Sequence, residues 1–543
     1  MRSKTVAILL ALTFAACGDR PDEWEAPIVK SGSLRTFGLV DQVAVVDEGA
    51  HRVALLSARA GQELSRSSVR VGKNVTVAAP SADTKRLFVL SAGELPRRKG
   101  TDERPSRSVI EGGALKTYPL ESPHTGLAVD PLGKWCAVFA APGAGPQTNF
   151  VENPNEIILV DLEAPVDSAV IPRTLRSFGG KPQRVSFTPT LTLPGGPRRL
   201  MIVETDQDVV LLDVDRIRDK PERPEITVRL TSGTSAQSLR PGGVVVDDGG
   251  PANDDARIGV RLTNDNNVVV LTLGPGDPGA PNDFRPSVNL TDVGGVASDL
   301  SFVRTDVGLR LAALVPTQRS AVLIDPATSI TTKVDLPAGY GRISLITNAV
   351  GAVGKADVAL LYAGGGSSAS SPSAGVPASP SGSGAGVAFW SLGRTDQLYR
   401  SVEVLSRDGG VTSVLDVPAP REALKVLRTG STFYVLDLTT RTAAPLTTLG
   451  NPSIVVSPDA QRLWVYRGGA GDLSQVTLDT LHPVQLPTER TLTAVHEIAR
   501  ADGGRALVAL DARGGVAATV LDALAPDTAQ SRTYFGLLLE GMQ

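Results

Sequence analysis

Four histidines, two cysteines and one concentration of carboxylates are the residues of this 543-residue chain whose types and spacing invite chemistry. The carboxylates lie in Asp247-Asp-Gly-Gly-Pro-Ala-Asn-Asp-Asp255, followed closely by Asn264-Asp-Asn-Asn267. Hard cations such as calcium take six to eight oxygens, so two neighbouring turns carrying Asp247, Asp248, Asp254, Asp255 and Asp265 could surround one. The spacing is not that of a DxDxDG loop, and Asn, Asp and Gly also build hairpin turns for backbone reasons alone. His51, His124, His482 and His496 share no HxH or HxxxH spacing that sets two imidazoles on one metal. Each lies near a strand end or turn and reads as solvated or internally satisfied. There is no GxSxG elbow, P-loop, dinucleotide fingerprint or CxxC pair. The sequence therefore assigns no catalytic residue and no cofactor beyond the calcium candidates.

The two cysteines have different surroundings. Cys136 sits in Lys134-Trp-Cys-Ala-Val-Phe-Ala140, an apolar strand-like run that predicts a buried structural thiol. Cys17 ends a different segment: Arg2 and Lys4, then the uncharged run Thr5–Ala16. Twelve residues of helix reach only about 18 Å, short of a ~30 Å hydrocarbon core, so this is an export signal and not a membrane span. Phe14-Ala-Ala-Cys17 resembles the bacterial lipobox, with Phe14 where the family usually has Leu. The resemblance implies a cleaved signal over residues 1–16, a lipidated Cys17 and a polar tether over 17–35. More than one acyl chain makes such anchoring stable. By the enterobacterial sorting rule for such lipoproteins, Gly18 in place of an aspartate after the cysteine implies the outer membrane.

The remainder, residues 36–543, must position whatever chemistry there is. A formal net charge of −3 provides no basic field to recruit nucleic acid. With 55 glycines, 39 prolines and 41% apolar residues, the composition suits a turn-rich folded protein and not a helical bundle. Short apolar runs recur near every fifty residues, several closed by aspartate: Ile157–Asp161, Val209–Asp213, Ala321–Asp325, Phe433–Asp437 and Ala518–Asp522. Looser copies end at Ser57, Thr272, Ser391 and Asp479, and a faded one spans 108–121, giving ten modules. Unbroken apolar runs mean strands covered on both faces. The sequence between them holds further short strands where a parallel sheet would need helices. Only Arg421–Thr429 and Asp213–Arg218 look briefly helical. Four strands at this period predict an all-β fold, a β-propeller of eight to ten four-stranded antiparallel blades.

Two segments sharpen the reading. Ala79-Pro-Ser-Ala-Asp-Thr-Lys-Arg-Leu-Phe-Val89 and Val456-Ser-Pro-Asp-Ala-Gln-Arg-Leu-Trp-Val465 resemble the repeat of YVTN-type and lactonase-like propellers. Weaker copies start at Val129, Thr305 and Ala501. Two strands at each end of residues 36–543 would join in one blade and close the ring, leaving no open sheet edge. Gly364–Gly386, built of Gly, Ser, Pro and Ala, cannot bury a core and reads as a flexible loop inside one module. The expected function is a lipid-anchored, non-catalytic binding or scaffolding propeller of the cell envelope, with an envelope protein or polysaccharide as partner. The lactonase-like resemblance implies an alternative, a propeller hydrolase with a divalent metal in its channel.

Overall fold

The computed structural model describes residues 34–538 apart from 144–149, 152, 178–179, 219–224, 231–238, 251–254, 278–281, 306–307, 348–355, 365–385, 393–399, 403–409, 431, 447–451, 487, 489, 514–515 and 527–529. Among them, ten four-stranded antiparallel sheets follow one another along the chain, each from one stretch of sequence; in the fourth, a two-stranded hairpin of Leu191–Leu193 with Gly196–Arg198 is inserted between the first and second strands. This is the β-propeller fold class. Blades 1 to 10 span residues 34–70, 75–119, 126–174, 182–229, 241–292, 299–335, 342–402, 411–446, 453–485 and 494–534. The chain divides into two compact units, residues 1–121 with 490–543, and residues 122–489. Blades 1, 2 and 10 belong to the first and blades 3 to 9 to the second.

The apolar runs that recur in the sequence are the third strands of the blades, such as Glu156–Asp161, Asp208–Asp213 and Thr432–Asp437. Second strands are equally apolar, and alternation explains why. In the second strand of blade 4 (Leu200–Thr205), Leu200 and Ile202 pack toward blade 5, while Met201 and Val203 pack toward blade 3. Both faces meet a neighbour, so no polar alternation survives. Each such side chain contributes about 1.5–3 kcal/mol when fully buried. Fourth strands, by contrast, carry polar residues outward, as in Leu64–Arg70 and Thr331–Asp335.

The closing aspartates have a local cause. Asp325 Oδ1 accepts the N–H groups of Ala327 and Thr328 at 2.9 and 3.2 Å, Asp437 those of Thr439 and Thr440, and Asp522 those of Leu524 and Ala525. A carboxylate that accepts from the next turn ends the strand and satisfies donors leaving the ladder. The propeller-like segments form one recurring turn. In blade 9, Ser457 Oγ donates to Asp459, Arg462 N–H donates back to Ser457 Oγ at 3.0 Å, and Ala460 takes φ +57°. Blade 2 repeats it with Ser81, Asp83 and Thr84 at φ +54°. Blades 3 and 10 place Gly133 and Gly503 at the left-handed position, where glycine has no steric cost.

Three expectations change. The first and last described strands do come together, but as two neighbouring blades and not as one shared blade. Leu34–Gly38, Val43–Asp47, Arg52–Ala58 and Leu64–Arg70 form one sheet in that order, while the C-terminal strands complete blade 10 with Ala494–Ala499 and Arg505–Asp511. The two blades share one apolar cluster; Ala499 N–H donates to Val40 O at 2.8 Å, and Tyr534 Oη joins Leu64 N and Gln62 O, each at 3.1 Å. The reason is phase: counting modules from third strands leaves two strands over at each end, although every blade begins two strands earlier. Second, Leu424–Thr429 is a strand paired with Thr432–Asp437, and Asp213–Arg218 is a turn in which Asp213 Oδ1 accepts Arg216 N–H at 3.2 Å. Nine residues are too few to separate the two periodicities. Third, the acidic turns of blade 5 lie at opposite ends. Pro241–Asp247 runs antiparallel to Arg257–Leu262, so Asp247, Asp248 and Asp255 are a full strand away from Asp265. The low-complexity segment joins Ala356–Tyr362 to Val387–Ser391, which pair within blade 7; residues 365–385 lie outside the described residues.

Candidate anion-binding site

Within the second unit, the first strands of blades 5, 6 and 7 lie beside one another, and blade 4 meets the first strand of blade 5 through its second strand. Beside this line of strands the pairing departs from regular register in blades 4 and 5, as it also does between Ile346 and Thr347 in blade 7. The register shifts between Pro182 and Arg184 in blade 4, and between Pro241 and Gly243 in blade 5. Bulges of this kind re-aim side chains and release backbone groups from the ladder. Here the released group is the Gly242 carbonyl, which accepts from Arg184 Nη1 at 3.5 Å and from Arg261 Nη2. A Cβ at Gly242 would clash with Thr263 Cγ2 and press on Arg261 Nη2 at 3.0 Å, so a side chain there would disturb the site.

These residues border a cavity of about 200 Å³, lined by Arg184, Gly242, Arg261, Asp299 and Arg342 among others. Arg261 is buried, and its Nη1 also donates to Ala297 O at 3.4 Å. Arg342 Nη1 approaches Asp299 Oδ1 at 3.9 Å, and Arg184 Nη1 lies 3.7 Å from Glu204 Oε1. Three guanidiniums thus face two carboxylates. Burial first, and then the nearby Arg184, push the Arg261 guanidinium below the ordinary arginine range against the pull of Asp299 and Glu204. Burial pushes Glu204 and Asp299 above the usual carboxylate range, against the pull of their arginines. Planar guanidinium forks match the oxygens of carboxylates, phosphates and sulfates. The arrangement suits a small oxyanion.

No protein-family model matches the chain, and no curated protein sequence matches it. Among solved structures it is similar to the dihydro-heme d1 dehydrogenase NirN in complex with DHE, at 11% identity over 90% of this chain and 84% of that one, with a TM-score of 0.41. It is also similar to a eukaryotic initiation factor (13%, 85% and 97%, 0.45) and to apo AztD from Citrobacter koseri (12%, 83% and 95%, 0.37). All three TM-scores fall below 0.5, and nothing about ligand or role transfers from these proteins.

The residues singled out in the sequence lie elsewhere. Asp247 accepts Arg304 Nη2 at 2.8 Å and Gly249 N–H at 3.3 Å; Asp248 accepts Gly250 N–H, and Asp265 accepts both nitrogens of Asn267. They build turns and one bond between blades, and no group of three or more His, Cys, Asp or Glu among the described residues could hold a metal ion. Asp254 and Cys17 lie outside the described residues. Cys136 is fully buried, with Sγ 3.9 Å from Ala137 O. His51 and His482 occupy turns, His124 is fully buried just before blade 3, and His496 lies within a strand, 3.0 Å from Thr36 Oγ1 of blade 1. Arg184, Arg261 and Arg342 were not foreseen. They stand 77 and 81 residues apart among 54 basic residues, and only blade stacking unites them.

Proposed function

We propose that this chain is a binding propeller of the cell envelope, anchored through lipid on Cys17, that recognises a partner by a carboxylate, phosphate or sulfate group. The observation that carries the binding reading is the convergence of Arg184, Arg261 and Arg342 on one cavity with, among the described residues, Glu204 and Asp299 as their carboxylate neighbours. The carboxylates there face guanidiniums, which makes the cavity a poor seat for a divalent metal and a good one for an anion. The export signal and lipobox-like segment support the envelope location, where acidic polysaccharide or protein groups are available partners.

Inorganic sulfate is the simplest probe of the cavity. Replacing Arg261 or Arg342 with glutamine is expected to weaken sulfate binding about tenfold or more, since hydrogen bonds to charged groups contribute about 1.5–3 kcal/mol each. Arg342 is the more exposed of the two, so its variant separates binding from folding. Unchanged sulfate affinity in both variants would refute the assignment. The anchor has its own test: Cys17→Ala should abolish incorporation of labelled palmitate and release the chain from membranes, and retained label would refute lipidation there.

A further inference from the structure

We propose that the cavity takes up its oxyanion together with one proton, which comes to reside on Glu204; this rests on the anion-binding reading above. Glu204 lies on the face of its strand that carries Leu200 and Ile202 toward blade 5. It is 2% exposed, and its Oε1 accepts no hydrogen bond among the described residues. The charged groups facing it are Arg184, its cross-strand partner in blade 4, and Arg261 of blade 5. Behind Arg261 stand Asp299 and Arg342. The guanidiniums that compensate Glu204 are therefore the ones that would grip the ligand.

Asp299 is held differently. Its carboxylate accepts the backbone N–H groups of Ile343 at 2.9 Å and Leu300 at 3.1 Å, donors fixed in the chain that cannot turn toward a ligand. When an oxyanion draws the arginines to itself, both carboxylates lose guanidinium compensation, but Asp299 keeps its two backbone donors while Glu204 Oε1 has no hydrogen bond among the described residues to fall back on. A buried carboxylate in that position gains a proton from solvent, added to one carboxyl oxygen with no other bond made or broken. By linkage, lower pH then tightens binding. Burial already raises the proton affinity of this carboxyl before any ligand arrives.

Sulfate tests this cleanly because its own charge is constant between pH 5 and pH 8, and His124, lowered to about 4 by burial, stays largely neutral there. The full chain is titrated with sulfate at fixed ionic strength at both pH values. The native protein is expected to bind at least tenfold more tightly at pH 5, and Glu204→Gln to bind with the same affinity at both. Calorimetry of the native protein in buffers of different ionisation enthalpy should read about one proton taken up per sulfate, independently of how well the variant folds. Sulfate binding with no proton uptake, or a Glu204→Gln variant that keeps the pH dependence, would overturn the proposal while leaving the anion site standing. Absence of sulfate binding at both pH values would overturn the anion site and the proposal together.

Discussion

Arg199→Ala is expected to destabilise the seven-bladed unit by about 3–5 kcal/mol, the usual consequence of removing one partner of a buried ion pair. Arg199 begins the stretch leading into the second strand of blade 4, and its Nη1 meets Asp130 Oδ2 of blade 3 at 2.7 Å. Its Nη2 meets Asp215 at 3.1 Å, and its side chain is only 9% exposed. The two carboxylates raise its guanidinium above the ordinary range in spite of burial, which acts in the opposite sense and is the largest single influence. Asp130 is 1% exposed in the native fold, and without the arginine its carboxylate would keep, among the described residues, the Leu132 N–H at 3.1 Å. An uncompensated buried charge is the source of the loss. Urea unfolding of the variant reads it as a lowered midpoint, and the double variant Arg199→Met with Asp130→Leu should recover much of the difference. A change below about 1 kcal/mol for Arg199→Ala would show that the clamp between blades 3 and 4 is not made.

Acid should weaken the same unit through His124. This residue is 0% exposed, and burial lowers its imidazole from 6.5 to about 4. The unfolded chain therefore binds the proton that the folded chain refuses across that interval. The contribution is fully present above pH 6.5 and is lost as pH falls toward 4, at about 1.4 kcal/mol per pH unit. At pH 5 the native protein should have lost about 2 kcal/mol relative to neutral pH on this account. His124→Gln removes the titration, so the stability difference between pH 7 and pH 5 should shrink by about that amount in the variant. Equal pH dependence in the two proteins would mean that the imidazole is protonated inside the fold.

Architecture was legible because it is written in burial. An apolar run such as Val209-Val-Leu-Leu212 can be satisfied only where neighbours cover both faces, and such runs mark most of the ten third strands, the mixed Ser106–Glu111 and Leu473–Thr477 being read only from their spacing. The phase of the blades was not legible. The link from Arg70 to Val75 between blades 1 and 2 is as short as the hairpins inside a blade, so spacing cannot say which strand begins a sheet. The polar fourth strands hold the missing signal, since Ser65, Arg66, Ser67 and Ser68 sit where the outer edge must meet water. The acidic turns drew attention because carboxylates adjacent in sequence look like ligands, yet a single antiparallel strand separates Asp247 from Asp265. The arginine cluster was hidden for the converse reason. Its members are scattered single residues in the sequence, and the one local hint is the pair of bulges after Pro182 and Pro241, which no side-chain pattern announces.

On the proposed function, an oxyanion binds among three arginines contributed by blades 4, 5 and 7. Anomalous diffraction from crystals equilibrated with selenate, an isoster of sulfate, tests it most directly. A selenium peak within hydrogen-bonding reach of Arg184, Arg261 and Arg342 is the predicted result. A cavity holding no selenium while selenate is bound elsewhere on the chain would contradict it.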